Sequence, residues 1–395
     1  MSQPNNEPQQ SASCARHTVE RRPGLAGHYQ IAYNPERNTL FVTGSFNHTK
    51  THGTLCATLA RLNACTLETE LTAFLPVVED HNPGQEGLYQ IQAAYGLALD
   101  NPRGLVWTGG TRTQSVTAYS QDDFSLVWDS RSEGIEMLTP RELYVAPDGS
   151  VLVTGAGGYQ VISVDDRGER VVSPLQDFGP AMLLGPIADE ERGLLYVPNI
   201  IKDEIWVIDL KTWERIDVFP VHGGQDAEAV VMVHGAEIDP VRGELYISAQ
   251  GAGGKNSGLY ILSLEGEQLA YIPFGQMPTD ILFNSKRHLL YVADFGGKGE
   301  PSIAGGGTIT VVDSLTREVV ETIQAAPTRI NHQVLLSDGS LIAIDKAGDY
   351  PAVAVPYVLD ARSGRYYEAK DEARPGEAPN LIVRDGLARV RGAGE

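Results

Sequence analysis

Residues 194–216 read "LLYVPNIIKDEIWVIDLKTWERI", and residues 289–323 read "LLYVADF", a glycine-rich stretch, then "GTITVVDSLTREVVETI". The two phrases share a grammar. Each opens on an aliphatic and aromatic strand, crosses a loop, and runs through an "IWVID" or "ITVVD" strand. Each then turns on a short polar segment into a further strand. Short runs rich in β-branched and aromatic residues mark strands rather than helices. Self-similarity at a fixed spacing marks a repeated supersecondary unit.

Working outward, seven copies of the unit can be placed. Their second strands hold Phe41, Val106, Leu152, Tyr196, Tyr246, Tyr291 and Ile342. Most follow one another at roughly 45–50 residues, the period of a propeller blade. Third strands are clear in "SVTAYS", "YQVISVD", "IWVID", "LYILSL" and "ITVVD". The turns "NPERN", "DNPRG", "APDGS", "DPVRG" and "LSDGS" carry residues that reverse the chain at little conformational cost. The expected fold is all-β: a seven-bladed β-propeller of four-stranded antiparallel blades, its closed ring protecting the sheet edges. An N-terminal tail, 1–27, is expected to be disordered or extended, and 28–395 to form a single propeller domain. Blade one carries a long insert at residues 75–88. In the last blade, "YVLDARSGRYYEA" at residues 357–369 is expected to supply the third and fourth strands. "NLIVRDG" near Asn380 is an extra strand or completes another blade.

"LYVPN", "LYVAD", "LFVTG" and "LYISA", with the "IWVID" and "ITVVD" strands, resemble the YVTN-type β-propeller repeat. Residues 140–155, "PRELYVAPDGSVLVTG", and 94–110, "AYGLALDNPRGLVWTGG", resemble blades of the YncE-like bacterial group. The resemblance covers roughly residues 28–370. It implies the fold and an exported, periplasmic or extracellular location. It also brings an association with single-stranded DNA.

Composition narrows this. The net charge is −20, and an acidic surface repels phosphate backbones and anionic lipid. Nucleic acid is therefore disfavoured as a partner. No apolar run approaches the ~20 residues that cross a bilayer. The 42 glycines and 23 prolines suit many turns and few long helices. The three cysteines, Cys14, Cys56 and Cys65, form no CxxC motif, and a disulfide between Cys56 and Cys65 requires the chain to fold back. There is no apolar leader in the first 25 residues, which leaves a cytoplasmic location as the alternative. Trp107, Trp128, Trp206 and Trp213 sit in strands or at turns and are expected to pack between blades rather than to stack on bases.

Function is expected where loops crowd one end of a rigid scaffold. In a propeller, the inner strands begin at the face that also carries the loops between second and third strands. The polar starts of the inner strands are His28, Tyr29, Gln30, Tyr95, Arg141, Glu142, His234, Glu237, Asp280, Asn331 and His332. Top loops add His48, His52, Glu79, Asp80, His81, Glu86, His222, Asp226 and Glu228. Lys255 and Lys298 lie on glycine-rich loops that could meet an anion. The plain expectation for such a mouth is polar residues solvated by channel water, with Arg141 paired to Glu142 or Asp280. The sharper one is a site. Arg141, Glu142, Tyr29, Tyr95, Asp280 and Asn331 are its candidate ligand-binding residues. His234, His332 and Glu142 are candidates for proton transfer, since histidine beside carboxylate suits a base near neutral pH. His234, His332, Asp280 and Glu237 are candidates for one divalent metal ion. The first functional reading is a scaffold holding a small molecule, metal or protein partner. The alternative is a metal-assisted lyase or hydrolase of lactone or ester type, similar to streptogramin lyases in architecture only.

Overall fold

The computed structural model describes residues 17–23, 28–44, 58–75, 77–79, 89–91, 94–111, 113–165, 167–252, 254–275, 277–296, 307–326, 329–345, 357–360, 365–368 and 386–391. Seven four-stranded sheets ring a common axis. The inner strands, blades 1 to 7, are His28–Asn34, Ala94–Asp100, Pro140–Val145, Ile187–Asp189, Val233–Asp239, Pro278–Asn284 and Ile330–Leu335. The expected second strands, and the third strands of blades 2 to 6, fall within their blades. In blade 3 they are one run, Val151–Val164, which pairs with Pro140–Val145 at one end and Arg170–Val172 at the other.

The core is seven wedges rather than one mass. Among the described residues, seven large clusters of buried side chains each join two neighbouring blades. Leu195 and Val197 pack against blade 3, whereas Tyr196, between them in sequence, packs against blade 5. A second strand is therefore covered on both faces. This is why "LLYV" reads as an unbroken apolar run instead of alternating with polar residues. Trp107 and Trp206 are fully buried in these wedges, as expected for blade packing.

Local hydrogen bonds explain the turns. Asp209 and Asp313 each accept from the backbone N–H groups two and three residues on, closing the third-to-fourth-strand hairpins. After the inner strands, Asn34 and Asp239 do the same, and Asp100, Asp189 and Asn284 accept from the N–H three residues on. Four residues after each of these comes a left-handed position, held by Asn38, Gly104, Gly193, Gly243 and, in blade 6, His288 at φ 55°. A left-handed non-glycine residue is unfavourable by about 1–2 kcal/mol. His288 is exposed. His288→Gly is accordingly expected to raise stability by about 0.5–1 kcal/mol, read as a higher denaturant midpoint at unchanged slope.

Ring closure departs from the expectation. Among the described residues, 357–360 and 365–368 pair only with each other, as a separate hairpin. The third strand of blade 7 is instead Gly386–Arg391, and the fourth is Thr18–Pro23 from the N-terminal stretch. Within the stretch 1–27, residues 17–23 are thus structural. His17 is buried, its Nδ1 2.6 Å from Glu321 Oε2 and its ring edge-on to Tyr291. Both partners belong to blade 6, so the N-terminal segment ties blades 6 and 7 together. The expected insert after blade 1 is flanked by a hairpin of Val77–Glu79 with Tyr89–Ile91. Cys65 is exposed and accepts from Asn38 Nδ2; Cys14 and Cys56 lie outside the described residues.

Candidate functional site at the channel mouth

Antiparallel four-stranded blades start every inner strand at the same end of the ring. Backbone pairing puts the seven inner strands in a common register. Two adjacent positions near that end carry Tyr29–Gln30, Tyr95–Gly96, Arg141–Glu142, Leu184–Gly185, His234–Gly235, Thr279–Asp280 and Asn331–His332. The register also explains a repeated hydroxyl on the second strands. Thr43 Oγ1 bridges the carbonyls of Gln30 and Tyr95, Thr154 Oγ1 those of Glu142 and Leu184, and Ser248 Oγ those of Gly235 and Thr279. Each strap ties an inner strand to the next blade. Aligning the threonines of "LFVTG" and "VLVTG" would have found it.

The inner strand of each sheet is an edge, and its inward N–H groups need acceptors. Neighbouring blades supply them. Gln30 Oε1 accepts from Leu97 N at 2.5 Å and Asp280 Oδ2 from Gln333 N at 2.8 Å. The backbone N–H groups of Ile238 and, from the next blade, Phe283 lie close enough to Glu237 to favour its charged form. Asp280 and Glu237 therefore have a structural task at the blade junctions. Where no acceptor stands, glycine lets the backbones approach. A Cβ on Gly96 would lie 2.5 Å from Arg141 O, and one on Gly235 2.7 Å from Thr279 O. Gly96→Ala is expected to cost about 1–3 kcal/mol through forced displacement of blade 3. A melting temperature equal to wild type would refute this close approach.

Arg141 pairs with neither Glu142 nor Asp280, contrary to expectation. Among the described residues its guanidinium makes one hydrogen bond, from Nη2 to Tyr29 Oη at 3.2 Å, and its buried Nε has no partner. Tyr29 is packed edge-on to Tyr95, with ring centroids 4.6 Å apart, and lies against His332. Glu142, 4% exposed, is engaged instead by Gln30 Nε2 at 2.7 Å, two blades away. Asn331 Nδ2 donates to Tyr29 O and is a brace for that strand. His332 Nδ1 stands 3.9 Å from Asp280 Oδ2, the one expected histidine–carboxylate pairing that the fold brings together.

His234 Nδ1 lies 2.8 Å from Thr279 O. A carbonyl only accepts, so Nδ1 carries the proton and Nε2 offers a lone pair. Burial, and then the charge of Arg141, push the imidazole down to about 3. His234 is thus a neutral acceptor. Burial also raises the acids: Glu142 up to about 7, Asp280 up to about 7, and Glu237 up to about 8 with the help of the Asp280 charge. Arg141, His234, Glu237, Asp280 and His332 keep part of their surface exposed although protein surrounds them, as side chains lining a narrow channel do.

Other candidates fall elsewhere. Lys255 Nζ is bound to Asp226 Oδ2 at 2.5 Å, so it is already paired rather than poised for an anion. His222 and Glu228 are exposed on the same top-face connection. His48, His52, Asp80, His81, Glu86 and Lys298 lie outside the described residues, as do the side chains of His28 and Glu79. Among the described residues, no three His, Cys, Asp or Glu side chains are grouped as metal ligands. The four metal candidates are thus not assembled into a site.

No protein-family model matches the chain, and no curated protein is significantly similar to it. The architecture stands on the structure itself: a seven-bladed β-propeller, a fold that commonly serves as a binding scaffold. No helix in the described residues is long and apolar enough to cross a membrane.

Proposed function

We propose that this chain is a binding scaffold that holds a small anionic molecule at the channel mouth, anchored by Arg141. The observation that carries the reading is the state of that guanidinium. It is enclosed by protein, takes one hydrogen bond to Tyr29, and keeps Nε without a partner. A guanidinium largely enclosed by protein with an unsatisfied N–H gains an acceptor and an opposite charge together from an incoming carboxylate. Glu142, next in sequence, hydrogen-bonds Gln30 rather than Arg141, although the two charges act on one another. The finer kinship to the YVTN-type and YncE-like propellers belongs to this proposal, as does the periplasmic or extracellular location it implies. The metal-assisted lyase or hydrolase stays the second reading, without a metal-ligand group among the described residues, and the charge of −20 disfavours single-stranded DNA.

Calorimetric titration with a panel of small carboxylates and inorganic phosphate tests the reading. At least one anion is expected to bind, and Arg141→Gln to weaken it by about tenfold or more, since charge-assisted hydrogen bonds contribute about 1.5–3 kcal/mol. Wild-type protein that binds none of the panel would end the proposal.

A further inference from the structure

Blade 4 is the irregular one. Its inner strand has only three residues, Ile187–Asp189, where the neighbours in blades 3 and 5 have six and seven. Pro186 precedes it and has no N–H to give to a ladder. At the paired register positions where other blades bring polar side chains, blade 4 brings Leu184, which is buried, and Gly185. This glycine differs from its counterparts. A Cβ on Gly96 or Gly235 would strike the next blade, but one on Gly185 would meet nothing within 4 Å. Among the described residues, the space beside Gly185 is open.

Arg141 and His234 hold equivalent register positions in the blades on either side of blade 4, and both have unfilled hydrogen-bonding capacity. Arg141 in blade 3 has its unpartnered Nε. His234 in blade 5 uses Nδ1 on Thr279 O, and its Nε2 has no hydrogen-bond partner among the described residues. The Arg141 charge acts on the His234 ring even though a whole blade separates them in chain order. The Arg141 guanidinium needs an acceptor, which an anion supplies. A lone pair on His234 needs a donor. One molecule supplies both if it carries a carboxylate and a hydroxyl.

Resting on the reading of Arg141 as the anchor, we infer that the ligand sits in the gap at Gly185 and is a short hydroxycarboxylate. Its carboxylate lies on the Arg141 guanidinium, and its hydroxyl donates to His234 Nε2. The unsubstituted acid lacks the donor, and a keto acid offers only another acceptor. Sites built to bond a hydroxyl discriminate strongly against analogues lacking it, because their own group is then left unpaired.

The test is calorimetric titration at neutral pH with lactate, 3-hydroxybutyrate and 4-hydroxybutyrate, against propionate and pyruvate. One hydroxy acid is expected to bind at least tenfold tighter than propionate and pyruvate, and the best of the series sets the span between the two groups. Gly185→Leu fills the gap and is expected to weaken binding at least tenfold, with Gly185→Ala between it and wild type. Gly185→Ala should melt as wild type does, because its Cβ meets nothing within 4 Å among the described residues, and Gly185→Leu is read only where its own melting transition shows it folded. Equal binding of propionate and the hydroxy acids would overturn the hydroxyl assignment while leaving Arg141 as an anchor. Undiminished binding by a folded Gly185→Leu would overturn the seat. Failure of wild type to bind any acid would remove the underlying reading instead.

Discussion

Deleting the chain through Pro23 is expected to lower the melting temperature by about 10 °C, or to leave a protein that no longer unfolds in one transition. The deletion removes the fourth strand of blade 7, whose six residues pair with Gly386–Arg391. It also removes His17, which bonds Glu321 and packs on Tyr291 in blade 6. A strand ladder of this length, with hydrogen bonds each worth about 1 kcal/mol net, plus a buried histidine–carboxylate contact, amounts to a loss on the order of 5 kcal/mol. The new edge formed by Gly386–Arg391 would lie open to pairing with other chains. His17→Ala alone should show a smaller fraction of the same loss. A deletion variant with unchanged melting temperature would show that the ring closes without its N-terminal strand.

Stability is expected to rise as the pH is lowered from 8 to 6.5. Glu142, Asp280 and Glu237 titrate at about 7, 7 and 8 in the folded chain, against ordinary values of 4.5, 3.8 and 4.5. A group with a raised value binds more protons folded than unfolded. Its stabilisation is complete below the ordinary value and is lost as pH rises through the folded one. The three acids influence one another, so the titration belongs to the set. Over this window they contribute about 2 kcal/mol, allowing for channel water. His234 works the other way: held down to about 3, it opposes folding once pH falls below 6.5, so the gain should flatten there. Chemical unfolding at several pH values reads the slope. The triple variant Glu142→Gln, Asp280→Asn, Glu237→Gln should be more stable at pH 8 and nearly flat between 6.5 and 8. A wild-type stability that falls from pH 8 to 6.5 would contradict these assignments.

The repeat was legible because its causes are local. The left-handed positions at Trp213 and Arg317, and the aspartates that close each hairpin, act within a few residues of one another. The unbroken apolar runs followed from strands covered on both faces, so blade number and blade order could be counted from the chain. The polar starts of the inner strands were also visible, and the register does place Tyr29, Arg141, His234 and Asn331 at equivalent positions.

Their partners were not visible. Arg141 and Glu142 adjoin in sequence, yet Arg141 bonds Tyr29 and Glu142 bonds Gln30, each 112 residues away. The last strand of the ring, "TVERRP", has no apolar alternation to announce it; its place is set by backbone pairing with Gly386–Arg391. Gly185 looks like any other glycine until its neighbours are known. The blade could be read from the residues alone, because propensity, turn chemistry and periodicity operate over one hairpin. How the ring closes and which acids are pushed up toward neutral pH came from the folded arrangement, because burial and charge there depend on residues from blades far apart in the chain.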